Sequence, residues 1–167
     1  MRAQKAKGEG AGVIKRATVS DCGKYRYTLE RVWDETKSSV LFICLNPSTA
    51  DAEQDDPTVL KIVRYARSWG HGGISIGNLF AFRATEPSNM KAAADPVGPD
   101  NNAHLKRLSE ASTLTLVAWG AAGSFRGRDR EVLALLSRPH HLALTIKGAP
   151  KHPLYLPGSL KPQAFSS

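Results

Sequence analysis

Asn46, Asn78 and His152 are the residues of this chain best suited to act on a bound ligand. An asparagine carries one acceptor and two donors on a short stem. Asn46 can therefore orient a water through its amide oxygen, but it is no strong base. Asn78 can read an amide-like edge, such as O4 and N3–H of a pyrimidine. His152, set between Lys151 and Pro153, can donate a hydrogen bond to negative charge developing on a leaving group. Pro47, Ser48 and Thr49 follow Asn46 directly and belong to the same candidate site. Asp51 and Asp55 supply carboxylates for work on water or a cation, whereas Asp56 before Pro57 reads as a helix cap. Phe80 and Arg83 follow Asn78, with Arg83 a phosphate ligand, and Trp119-Gly120 offers an aromatic wall with close backbone approach. The other histidines are His71, His104, His140 and His141, and no pair has the spacing of a zinc motif. No metal and no cofactor is expected.

These residues need elements that end at one edge. Val40 to Leu45 is a continuous apolar run, the pattern of a strand buried on both faces. It stops at Asn46-Pro47, because proline has no backbone donor to continue a ladder. Gly73 to Leu79, Leu114 to Trp119 and Leu142 to Ile146 read as three further strands. They end at Asn78, Trp119-Gly120 and Lys151-His152-Pro153. Helical patterns intervene: one after Asp56, one after Asp100, one over Arg126 to Ser137. Ala84 to Pro99 reads as a long loop. Before all of these, Val13 to Val19 and Tyr25 to Trp33 flank a turn-rich Ser20 to Lys24, the signature of an antiparallel hairpin. Tyr25, Tyr27, Leu29, Arg31 and Trp33 share one face of it, which should be the buried one.

The expected architecture is α/β: a three-layer α/β/α sandwich on a four-stranded parallel sheet, preceded by the N-terminal β-hairpin. In such sheets ligands bind beyond the carboxyl ends of the strands. At 167 residues the chain reads as a disordered basic tail over 1–11 and a single α/β domain over 12–167. No apolar run approaches a membrane span and the N-terminus has no secretory pattern. The two cysteines, Cys22 and Cys44, do not suggest a disulfide, so a reducing cytosol is the expected compartment; the chain is expected to be a monomer. The net charge of +8 favours a polyanionic partner, DNA or a nucleotide foremost, and no membrane.

Two resemblances attach to these motifs. The apolar strand running into Asn46-Pro47-Ser48 resembles the first motif of the uracil-DNA glycosylase superfamily, in its mismatch-specific branch, with Cys44 where that branch has glycine. Asn78 resembles the superfamily's base-reading asparagine. Lys151-His152-Pro153-Leu154 resembles its second motif, with Leu154 where serine is usual. The fuller string Leu45 to Ala52, with Asp56-Pro57-Thr58, Gly77 to Phe80, Ala118 to Gly120 and His152 to Tyr155, is similar to a bacterial and phage domain family of unknown function, over roughly Val40 to Leu156. The glycosylase resemblance implies strand order 2-1-3-4 and metal-independent cleavage of the N-glycosidic bond of a flipped, damaged or modified base in DNA. Asn46 would hold the water, Asn78 would read the base, and His152 would face the departing base anion. Leu154, Tyr155 and Leu156, an apolar cluster just after His152, would wedge the duplex open. A transferase acting on a flipped base, or a nucleic-acid or nucleotide binder without turnover, is the alternative.

Overall fold

The computed structural model describes residues 2–7 and 12–166. Four strands come first: β1 (Arg2–Lys7), β2 (Ile14–Val19), β3 (Arg26–Val32) and β4 (Ser39–Cys44). Helix α1 (Pro57–Ser68), strand β5 (Gly73–Asn78), helices α2 (Pro87–Ala92) and α3 (Asn101–Ala111), and strand β6 (Leu114–Val117) follow. A 3-10 segment (Ala121–Gly127), helix α4 (Arg128–Leu133) and strands β7 (Pro139–His141) and β8 (Gln163–Ala164) complete the chain.

All eight strands join one mixed sheet in the order β1-β2-β3-β5-β4-β6-β7-β8. β4 lies between β5 and β6 and runs parallel to both, and β6 runs parallel to β7. The apolar run of β4 explains its central place. Val40, Phe42 and Cys44 point into the cluster that contains Val59, Ile62 and Tyr65 of α1. Leu41 and Ile43 point into the cluster that contains Met90 of α2, Leu105 and Leu108 of α3, and Val132 of α4. Strand alternation thus feeds two cores, with helices on both faces of the sheet. Each of the larger β4 side chains is fully buried, a burial typically worth about 1.5–3 kcal/mol per residue. Helix α3 lies close against β5: a Cβ on Gly77 would stand 2.5 Å from Leu105 Cδ2, so any side chain there would displace the Leu105 methyl.

Four expectations are corrected. The sheet is not a four-stranded parallel one with a separate hairpin before it. The β2–β3 hairpin does form, but β3 pairs antiparallel with β5 and so continues the same sheet. Being flanked by two strands and covered on both sides, β3 buries both of its faces. Arg26 and Thr28, expected on the outer face, are as buried as Tyr27 and Leu29. The last parallel strand is Pro139–His141, not Leu142 to Ile146. There the chain turns back instead, with Thr145 N–H donating to the Ala149 carbonyl and Gly148 at φ +84°, leaving Ile146 fully exposed. Finally, residues 2–7, expected in a loose tail, pair antiparallel with β2 as β1. The rest of the expected tail, residues 1 and 8–11, lies outside the described residues. Among the described residues no helix is long and apolar enough to cross a membrane.

Candidate functional site

Beyond the carboxyl ends of β4 and β5 lies a small chamber of about 60 Å³. It is lined by Asn46 after β4, Asn78 at the end of β5 and His152 from the loop after β7, among others. Three separate segments thus bring the three chemistry-bearing side chains to one cavity. Ser48, Asp56 and Thr58 complete its polar wall, with Cys44, Val59 and Ile76 as the apolar part.

The loop after β4 is tightly tied. Asn46 Nδ2 donates to the Ala84 carbonyl at 2.8 Å and to that of Pro47 at 3.1 Å. With both amide hydrogens committed to carbonyls, Oδ1 is the group left for a ligand or a water. Asp56 caps α1, its Oδ1 accepting from Val59 N–H at 2.9 Å, while its Oδ2 accepts from Ser48 Oγ at 3.1 Å. The expected helix cap is therefore also the chamber's carboxylate.

Arg26, which no sequence motif singled out, lines the same chamber. It is 4% exposed, and its Nη1 donates to the Ala50 carbonyl at 2.6 Å. Burial pushes its pKa down to about 10, with nearby Asp56 opposing the shift, so it stays cationic at neutral pH. Its Nε has no partner, and neither has the Nδ2 of Asn78, itself 2% exposed. Two unsatisfied donors at one small cavity call for a ligand that brings oxygen acceptors, since an orphaned buried donor typically costs about 1–3 kcal/mol. Cys44 beside them is buried, which pushes its thiol up to about 12 and keeps it neutral.

His152 accepts a hydrogen bond at Nδ1 from Leu154 N–H at 3.3 Å. That bond requires an unprotonated Nδ1, so the neutral ring carries its hydrogen on Nε2. Part of the ring is open to solvent, yet surrounding protein lowers its pKa below 6.5, with Asp56 opposing. His104 and His141 are lowered as well, each chiefly by burial. In all three the folded protein takes up a proton less readily than the unfolded chain. Stability from this source is therefore fully present above 6.5 and is lost as pH falls through the lowered values. The urea midpoint should drop between about pH 7.5 and about pH 5.5, before ordinary carboxylates titrate. A midpoint that stays level or rises across that interval would contradict this assignment.

The remaining expected residues divide into three groups. Trp119, Gly120 and Lys151 line a second, larger cleft beside the chamber. Phe80 is wholly buried in the core under α3 and α4, so it is no ligand contact. Pro47 is buried and Thr49 exposed, and neither lines either cavity. Arg83 is half-buried beside the loop, its backbone N–H donating to the Lys24 carbonyl. Asp51 is not placed as a catalytic acid or base. Its Oδ1 accepts from Glu53 and Gln54 N–H, both at 2.8 Å, and those bonds lower its pKa. It closes its own turn, and Asp55 pairs with Arg31. In the segment after His152, Leu154 is half-buried, Leu156 packs against the α1-side core and Tyr155 is 94% exposed. Of the expected wedge, Tyr155 is the side chain that stands free. Among the described residues, no group of three or more His, Cys, Asp or Glu is placed to hold a metal ion.

Arg26 left no trace in the pattern because an arginine alternating with Tyr25 and Tyr27 reads as the solvent side of a hairpin. Its place is set by contacts remote in the chain: its backbone N–H donates to the Ala81 carbonyl, beyond β5, and its Nη1 to the Ala50 carbonyl.

Comparison with known proteins gives one result. Residues 26–154 match the family described as Protein of unknown function (DUF1643). The match takes in β3 and Arg26 as well as the motifs from Val40 onward. No curated protein and no solved structure matches the chain.

Proposed function

Because the chain belongs to the DUF1643 family of proteins of unknown function, we propose its activity from the site: hydrolysis of the N-glycosidic bond of a nucleobase in DNA, in the manner of uracil-DNA glycosylases. The carrying observation is the single chamber that unites Asn46, Asn78 and His152 with two unpartnered donors, Arg26 Nε and Asn78 Nδ2. A base with ring carbonyls brings the acceptors those donors lack. In the reaction, water held by Asn46 Oδ1 adds its oxygen to C1′ as the C1′–N bond breaks. The bonding pair leaves with the base, and the base finally takes the proton that the water loses. His152 Nε2–H donates to the oxygen where that negative charge gathers, and the Arg26 cation lowers the energy of the same charge. A reaction of this type asks for no metal.

Volume limits the pose. About 60 Å³ has room for a few waters and falls well short of the roughly 300–1,000 Å³ of pockets that hold whole small ligands. In this conformation the chamber admits the carbonyl edge of a base, and a whole ring enters only when it widens. That size is also the observation favouring a second reading, a nucleotide or nucleic-acid binder without turnover. Oligonucleotides carrying uracil, mismatches or modified pyrimidines, single- and double-stranded, separate the two when assayed for abasic sites. Abasic product on one of them is expected. Binding without abasic product on all of them selects the second reading, and absence of binding at low salt removes the glycosylase and the nucleic-acid binder and leaves a small nucleotide as the ligand.

A further inference from the structure

The larger cleft is a different kind of cavity. It encloses about 830 Å³, within the range of ligand pockets, where the chamber holds about a fourteenth of that. One wall is the 3-10 segment and α4, and the other is the turn from Thr145 to Lys151. The two walls are fastened together at the back, where Gly120 N–H donates to the Pro150 carbonyl at 2.7 Å and Gly120 takes φ +74°.

The turn itself is preorganised. Thr145 and Ala149 exchange bonds, Thr145 N–H to the Ala149 carbonyl at 2.8 Å and Ala149 N–H to Thr145 Oγ1 at 3.0 Å. Lys151 N–H donates to the Ala143 carbonyl at 2.9 Å. Rigid loops of this kind place side chains without an ordering cost on binding.

The lining carries two chemistries. Trp119, Leu133, Pro150 and Phe165 form an apolar floor. Arg130, Lys147 and Lys151 stand at the lining as exposed cations. Asp129 is the one acid there, and its Oδ1 already accepts from Arg130 N–H at 2.8 Å. Among the described residues no carboxylate pairs with any of the three cations. An apolar floor under three unpaired cations is complementary to a flat ring bearing an anion.

We propose that this cleft is a second binding site, for a nucleoside phosphate. Its base lies over Leu133 and Phe165, with Trp119, 3% exposed, beneath them, and its phosphate meets Arg130, Lys147 and Lys151. Lys151 lines the cleft while the next residue, His152, lines the chamber. A strand whose one nucleotide occupies the cleft therefore has its neighbour at the chamber. A free nucleotide satisfies the same chemistry, and the experiment separates the two sources. The inference shares with the proposed function only the class of ligand, and its test reads binding without turnover.

The reporter is the Trp119 indole N–H signal in nitrogen-15 NMR spectra. The other two indoles are remote, donating to the His71 and Leu160 carbonyls from Trp33 and Trp69. The protein is titrated with thymidine monophosphate, with a short oligothymidylate, and with thymidine and inorganic phosphate separately. The Trp119 signal should move with the monophosphate and saturate at higher concentration with either fragment alone. Saturation at much lower oligonucleotide concentration identifies a strand as the source, and equal affinities identify a free nucleotide. Arg130→Ala and Lys147→Ala, both at exposed positions, should each raise the dissociation constant by about tenfold, as loss of a hydrogen bond to a charged group does. Asn46→Ala, in the chamber, should leave the mononucleotide titration unchanged. A Trp119 signal that ignores both nucleotides overturns the proposal. So does one that follows inorganic phosphate as well as the monophosphate, or one that Asn46→Ala abolishes.

Discussion

In the proposed glycosidic cleavage, His152→Ala should lower turnover by roughly 10²–10³-fold while leaving affinity for the oligonucleotide nearly unchanged, the scale expected for one preorganised donor to developing negative charge. The expectation rests on the Nε2–H tautomer that Leu154 N–H enforces at Nδ1. The same donor makes little difference to the ground state, where the base carries no charge, so the loss should fall on kcat rather than KM. His152→Asn keeps a donor on a shorter stem and should recover part of the rate. Protonation of His152 would break the Leu154 bond, and because burial lowers its pKa, the neutral form persists below 6.5. The profile of kcat against pH should therefore stay level from about 8 down past 6.5 and change only in more acid solution. Equal losses in kcat and in oligonucleotide affinity, with a lowered melting temperature, would make His152 a structural residue of its loop.

Arg31→Met destabilises the fold by about 3–5 kcal/mol, the range for breaking a buried ion pair from one side. Arg31 is 1% exposed and anchors the loop that leads to the chamber. Its Nε donates to Asp55 Oδ1 at 2.8 Å, its Nη2 to the Asp51 carbonyl at 2.6 Å and its Nη1 to the Glu30 carbonyl at 2.9 Å. Removing the guanidinium leaves those acceptors unpaired and releases the 51–55 loop from β3. Asp56 and Ser48, which wall the chamber, flank that loop, so ligand affinity should fall along with stability. Asp55→Asn should cost less, because the Asp55 side chain is 22% exposed and the two carbonyls still hold Arg31. Urea unfolding of the three proteins measures the order. An Arg31→Met loss below about 1 kcal/mol, the value of an exposed pair, would show that the clamp is not what seats the loop.

Several features were legible without coordinates because they are local. An unbroken apolar run such as Val40 to Leu45 has one good solution, a strand covered on both faces, and Pro47 ends it wherever the strand lies. Asp56-Pro57 names a helix start, and Asp56 does cap α1. The turn-rich Ser20 to Lys24 between alternating segments names a hairpin. The endings Asn46 and Asn78 could be read together because parallel strands end at one edge; His152 was grouped with them through a strand over Leu142 to Ile146 that does not form, and it is the loop after β7 that carries it to the chamber.

The tertiary structure decided what depends on neighbours remote in the chain. Alternation in β3 has two readings until its second partner is known: Arg31, opposite Ile74 of β5, lies on the face expected to be buried, and Arg26, expected on the other, is buried as well. Asp51 and Asp56 are alike as residue types, and the loop's own backbone took the first while the chamber took the second. Leu142 to Ile146 has strand composition, but closure of the Thr145 turn placed Ile146 in solvent and created the cleft wall. Composition sets which side chains a segment can offer. Which of them meet, and which cavity they share, is settled by strand pairing and loop closure, where contacts far apart in sequence outweigh local preference.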